Sequence, residues 1–97
     1  MSDHQPSAPL AVQVAALPDN PGVYQFYDAK EQLLYVGKAK NLKKRVSSYF
    51  AKQSHNGKTR VMVSNIALIR HIVVKTESDA LLLENSMIKQ HQPRYNV

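Results

Sequence analysis

The chain has 97 residues, 43% of them hydrophobic, with 13 Lys and Arg against 7 Asp and Glu and no cysteine. That length holds one hydrophobic core and not two, and the lack of cysteine excludes disulfides and thiolate metal sites, as suits a reducing compartment. No apolar run approaches the ~20 residues of a membrane span, and no Lys or Arg precedes Lys30 to form the basic segment of a signal peptide, so the expectation is a cytoplasmic protein whose charge of +6 draws polyanions.

Residues 1–15, with Pro6 and Pro9 among small residues, read as an amino-terminal tail ending in a short helix over 10–16, and residues 16–97 as the folded domain. Gly22-Val23-Tyr24 and, after ten intervening residues, Tyr35-Val36-Gly37 bracket a β-rich stretch, a polar stretch from Asp28 to Gln32, and Leu33-Leu34. This is the pattern of strand, tight loop and strand. A loop over Asp28–Glu31 would pair Tyr27 with Gln32 and Tyr24 with Tyr35, both phenols on one sheet face. Asn41 is the predicted N-cap of a helix over 42–50, where Leu42, Val46, Tyr49 and Phe50 recur at helical spacing.

Five of the 13 basic residues, Lys38, Lys40, Lys43, Lys44 and Arg45, lead into that helix. A solvated face is the bland reading, but a helix amino terminus is itself an anion site, and the combination points to phosphate contact. Ser54 to Lys58, with Asn56 and Gly57, reads as a loop, and Val61, Met62, Val63, Ile66 and Ala67 as a second helix. Ile69–Lys75 is β-branched and alternates poorly, which predicts a central strand covered on both faces. Thr76 with Asp79 has the capping-box pattern and opens a last helix over 78–90 that stops ahead of Pro93. The fold class is α/β of the α+β kind, a three-stranded antiparallel sheet flanked by helices.

Glu84 stands out on that last helix because its i±3 and i±4 neighbours, Ala80, Leu81, Met87 and Ile88, are all apolar. A carboxylate in such a stripe must be protonated, paired with a cation such as Arg45, or bound to a metal. Tyr27, Tyr49 and Phe50 read as core, and Tyr95 as packing under the helix end. His4, His55, His71 and His91 lack metal-ligand spacing.

The paired tripeptides, followed in order by Gly37-Lys38-Ala39-Lys40-Asn41-Leu42-Lys43-Lys44-Arg45, Leu81-Leu82-Leu83-Glu84 and Pro93-Arg94-Tyr95-Asn96, resemble the signature of the GIY-YIG nuclease family. Within that family the resemblance is to the amino-terminal domains of UvrC-type repair nucleases, over about residues 17–97. It implies a divalent-metal-dependent endodeoxyribonuclease, with Glu84 as the protein ligand of one Mg²⁺ or Mn²⁺. It also implies that Tyr24 and Tyr35 point at the attacking water or scissile phosphate, that Arg45 holds that phosphate with help from Lys38, and that Asn96 hydrogen-bonds within the site. Either tyrosine can take the proton, Tyr24 being the first candidate. A UvrC-like domain would cut double-stranded DNA on the 3′ side of a lesion, and contact with UvrB would lie in regions outside it. The end at Val97, directly after the last motif, reads as that of an excised domain. A stand-alone structure-specific nuclease of the family and a catalytically silent DNA-binding module on the same fold are the alternatives, and the silent module has no need of Glu84.

Overall fold

The structure, a computed structural model, describes residues 8–51 and 56–96. His4, Pro6 and, of the expected Ser54–Lys58 loop, Ser54 and His55 lie outside the described residues. The elements in chain order are α1 (Leu10–Ala15), β1 (Gly22–Tyr27), β2 (Leu33–Ala39), α2 (Leu42–Tyr49), α3 (Gly57–Asn65), β3 (Leu68–Val73) and α4 (Glu77–His91). The three strands form one antiparallel sheet in the order β2-β1-β3. On one face Tyr24, Phe26, Leu42, Val46, Tyr49, Met62 and Ile69 make the larger core. On the other, Val23, Val36 and Ala80 pack with Leu83, Met87 and Ile88 of α4.

Local chemistry sets the helix starts. Asn41 Oδ1 accepts from the Lys44 amide at 3.0 Å, Asn56 Oδ1 from Thr59 at 2.9 Å and Thr76 Oγ1 from Asp79 at 3.1 Å. The second helix therefore begins at Gly57, earlier than the loop reading allowed, because Asn56 acts as a cap and not as a turn residue. Gln92 takes the left-handed conformation at φ 45° and ends α4 ahead of Pro93.

Two expectations are corrected. The first concerns β3, which is an edge strand. The centre belongs to β1, whose Gly-Val-Tyr-Gln-Phe-Tyr carries no charge and is buried on both faces, whereas Arg70 and His71 in the middle of β3 are exposed. Its β-branched composition expresses strand propensity and not depth. The second concerns the hairpin register: Tyr24 lies opposite Gly37 and Tyr35 opposite Phe26, with an irregularity between Phe26 and Tyr27 that pairs Tyr27 with Leu33. The cause is the loop. Asp28 Oδ1 accepts from both the Lys30 and Gln32 amides, and Glu31 sits at φ 62°, so an additional residue is absorbed before the ladder resumes. A shift of two keeps the side-chain parity, so both phenols still share one face, their ring centres 6.1 Å apart. Gly37 is needed opposite Tyr24, since a methyl group there would overlap the phenol ring and its hydroxyl.

The carboxy terminus closes the β2 edge. Asn96 Oδ1 accepts from the Val36 amide and its Nδ2 donates to the Val36 carbonyl, both at 2.8 Å, while the Tyr95 amide donates to Leu34 at 2.9 Å. At the opposite edge the Gln13 side chain of α1 accepts from the Ile69 amide and donates to Ala67 O. Asn96→Ala leaves the part-buried Val36 groups unpaired, so we expect a loss of about 1–3 kcal/mol in chemical denaturation, with Asn96→Asp restoring only the acceptor half.

Candidate active site

β1, β2, α2 and α4 bring most of the expected residues to one end of the hairpin. Tyr24 is 1% exposed, and its hydroxyl lies 2.8 Å from that of Tyr49. Arg45 donates from Nε to the Tyr24 hydroxyl and from Nη2 to the Tyr49 hydroxyl, each at 3.4 Å, and its Cζ stands 5.1 Å from the Tyr49 ring centre. Tyr35, half-buried, has its ring centre 6.4 Å from that of Tyr49. Tyr49 is thus part of the site and not only core, which the sequence reading missed. Its spacing of four from Arg45 on α2, which puts the two on one helix face, was the available signal.

Glu84 is half-buried at the rim of α4, and its Oε2 accepts from the Lys38 backbone amide at 3.1 Å. The pairing with Arg45 considered from the sequence does not form; Arg45 turns to the phenols instead. The apolar stripe around Glu84 is also incomplete, since Leu81 is 44% exposed. A carboxylate offers about four lone-pair positions, of which one is taken by the Lys38 amide. Among the described residues no three His, Cys, Asp or Glu side chains gather as a metal cluster. One hard oxygen donor fits Mg²⁺ or Mn²⁺, which keep several waters, and does not fit Zn²⁺, which takes at least three protein ligands.

Lys38, Lys40, Lys44 and Arg45 line a hollow between α2 and α4, while Lys43 is half-buried and lies outside it. The α2 amino terminus is not open to an anion. The Leu42 and Lys43 amides donate to Asn20 O and Pro18 O, each at 3.0 Å, and the Lys44 amide to Asn41. These amides are therefore already satisfied, a correction to the helix-terminus expectation, and only side chains face outward there to meet an anion.

Burial sets the phenol acidities. It raises Tyr24 above the ordinary tyrosine value, outweighing the opposing hydrogen bonds with Tyr49 and Arg45, and it raises Tyr49, where the Tyr24 charge and hydrogen bond add to the rise and the Arg45 charge opposes it. Tyr35 is pushed up to about 12, first by burial and then by the Tyr49 and Glu84 charges. The Arg45 charge opposes the rise at all three phenols without cancelling it. Hydrogen bonding to Tyr24 raises Arg45 and keeps it charged.

A pH dependence follows. A phenol whose pKa is higher in the folded chain contributes stability that is complete below the unfolded value near 10 and is lost as pH rises towards the folded value of about 12. Denaturant midpoints should fall between those limits, and Tyr35→Phe should flatten that fall. An unchanged slope in the variant would mean that Tyr35 is not the titrating group.

The sequence signature described as the UvrC-like GIY-YIG domain matches residues 20–97. The UvrABC system protein C of Flavobacterium psychrophilum is 65% identical over 88 residues, 91% of this chain and 15% of that protein. That of Bacteroides thetaiotaomicron is 66% identical over 84 residues, 87% of this chain and 14% of its own length. The chain thus spans about one seventh of these relatives. The crystal structure of the GIY-YIG N-terminal endonuclease domain of UvrC from Thermotoga maritima, bound to its catalytic magnesium, superposes with a TM-score of 0.80 at 35% identity, covering 91% of this chain and 96% of that one. A Tyr→Phe point mutant of the same domain matches at 0.80 and 34% identity, covering 91% and 94%. Signature, identity and backbone agree across the hairpin, α2 and α4 that build the site, and so the chain belongs to the UvrC-like GIY-YIG domain family.

Proposed function

We propose that this chain is the divalent-metal-dependent endodeoxyribonuclease domain of a UvrC-type protein, cutting on the 3′ side of a lesion in DNA delivered with UvrB. The observation that carries the reading is a convergence at the end of the hairpin. A carboxylate oriented by the Lys38 amide and a guanidinium oriented by two phenols stand beside a row of lysines. A silent binding module would need only the lysines. The likeness to UvrABC system proteins supports this reading over a stand-alone nuclease.

The side chains divide the work by chemistry. Arg45 has five N–H donors. Two make long 3.4 Å bonds to phenols, leaving others for the non-bridging oxygens of the scissile phosphate. Lys38, whose backbone amide bonds the Glu84 carboxylate, adds its charge to the hollow. Tyr35 is assigned as proton acceptor for the attacking water, because it is only half-buried and opens onto a hollow with Arg45 and Tyr49. Tyr24, sealed and bonded to Tyr49 and Arg45, positions Arg45. A dication held by Glu84 and its waters would supply positive charge that stabilises the phosphoryl oxygens and draws the Tyr35 pKa down from about 12. Asn96 keeps Val36, and so the adjoining Tyr35, in register.

Nicking of supercoiled plasmid by residues 1–97 tests the reading. We expect conversion to open circles in Mg²⁺ or Mn²⁺, arrest by chelator and recovery on adding excess cation. Cleavage that persists in chelator overturns metal dependence, and DNA binding without cleavage under every condition favours the silent module.

A further inference from the structure

We propose that the hollow between α2 and α4 holds one unstacked nucleotide of the substrate strand beside the scissile phosphate, favouring a base with an exocyclic amine. This rests on the nuclease reading above. The hollow is open to solvent and has a volume of about 660 Å³, within the range of small-ligand sites. Its lining has three chemically distinct parts. Lys38, Lys40, Lys44 and Arg45, with Asn41 and Ser48 among them, form a cationic wall, exposed Leu81 over buried Ala39 and Ala80 an apolar floor, and Glu77 and Ser78 of the first turn of α4 a polar end.

A groove that only tracked phosphates would need the wall alone. The apolar floor gives nothing to a phosphate, and Glu77 repels one. A nucleotide uses all three parts: phosphate on the wall, the face of the base on the floor, and the base edge at the polar end. There a carboxylate accepts from an amine such as cytosine N4, and a hydroxyl donates or accepts. Thymine presents a carbonyl oxygen at the corresponding position and is repelled. Leu81, 44% exposed in spite of its apolar side chain, is the platform. With the α2 amides already bonded to Asn20, Pro18 and Asn41, phosphate affinity comes from side chains and falls with salt. The floor and polar end supply a part that salt does not screen. A base leaves its stack most readily where the duplex is damaged, so such a subsite would favour distorted DNA.

The test is an NMR titration of the isotope-labelled 97-residue chain without metal, using deoxycytidine monophosphate, thymidine monophosphate, deoxyribose 5-phosphate and inorganic phosphate. We expect deoxycytidine monophosphate to shift the Ala39, Ser78 and Leu81 amides saturably and to bind about tenfold more tightly than thymidine monophosphate or the sugar phosphate. Glu77→Gln should remove the cytosine preference, and Leu81→Asp, at an exposed position, the gain over the sugar phosphate. Equal affinities for all four probes, or shifts confined to α2, overturn the proposal. Because no cleavage is read, these outcomes are separate from a failure of the nuclease assay.

Discussion

Glu84→Gln is expected to lower DNA nicking by about a thousandfold or more while leaving the fold intact. The amide has the shape of the carboxylate and retains an oxygen that accepts from the Lys38 N–H, so that bond survives. The negative charge is lost, and with it the hard anionic oxygen assigned to a dication. Binding to DNA in chelator should be unchanged or slightly stronger, since a negative charge beside a cationic hollow has been removed. A second readout does not depend on cleavage: with the Glu84 charge gone, Tyr35 should ionise below its present value of about 12. Wild-type nicking by the variant would sink the metal role. A lowered melting transition would instead mean that the carboxylate holds α4 on the sheet.

Arg45→Ala is expected to reduce single-turnover cleavage by about a hundred- to a thousandfold, with a much smaller change in DNA affinity. The guanidinium is preoriented by Tyr24, Tyr49 and the face of the Tyr49 ring, so its contact strengthens as charge develops on the phosphate. Affinity should persist because Lys38, Lys40 and Lys44 remain along the same hollow. Arg45→Lys should recover little, since a point charge cannot reach two phenols and a phosphate at once. The paired control is Lys40→Ala with Lys44→Ala, which should lower the slope of log K against log salt by about two units while sparing turnover at saturating DNA. If Arg45→Ala altered affinity alone, Arg45 would be one more backbone contact.

Glu84 stands out from the residue pattern around it, whereas the role expected of Arg45 came from the family resemblance; both lie on helices whose starts are set locally. Caps such as Asn41 and Thr76 bond to amides three residues away, and the stripe of Leu42, Val46 and Tyr49 repeats within one helix. Contacts of this range are written in neighbouring residues. Two tripeptides on a short hairpin likewise place two phenols on one face for any even register, which is why a register shifted by two left the tyrosine pair together.

Three features lay beyond local reading. Tyr49 reaches Tyr24 across 25 positions, Glu84 reaches the Lys38 amide across 46, and Asn96 reaches Val36 across 60. The closed amino terminus of α2 depends on where Pro18 and Asn20 pass, and the raised phenol acidities depend on how deeply the sheet face is covered.

Spacing over a few turns of chain is therefore enough to place the caps of α2 and α4, the hairpin and the basic cluster, while the roles expected of most site residues came from the family resemblance. Packing of the whole domain was needed to decide which strand is central, the hairpin register, the partners of Arg45 and Glu84, and which tyrosine stays accessible. Those follow from burial summed over the whole core, in which β1 outcompetes the charged β3 for the interior, and no short stretch of sequence contains that sum.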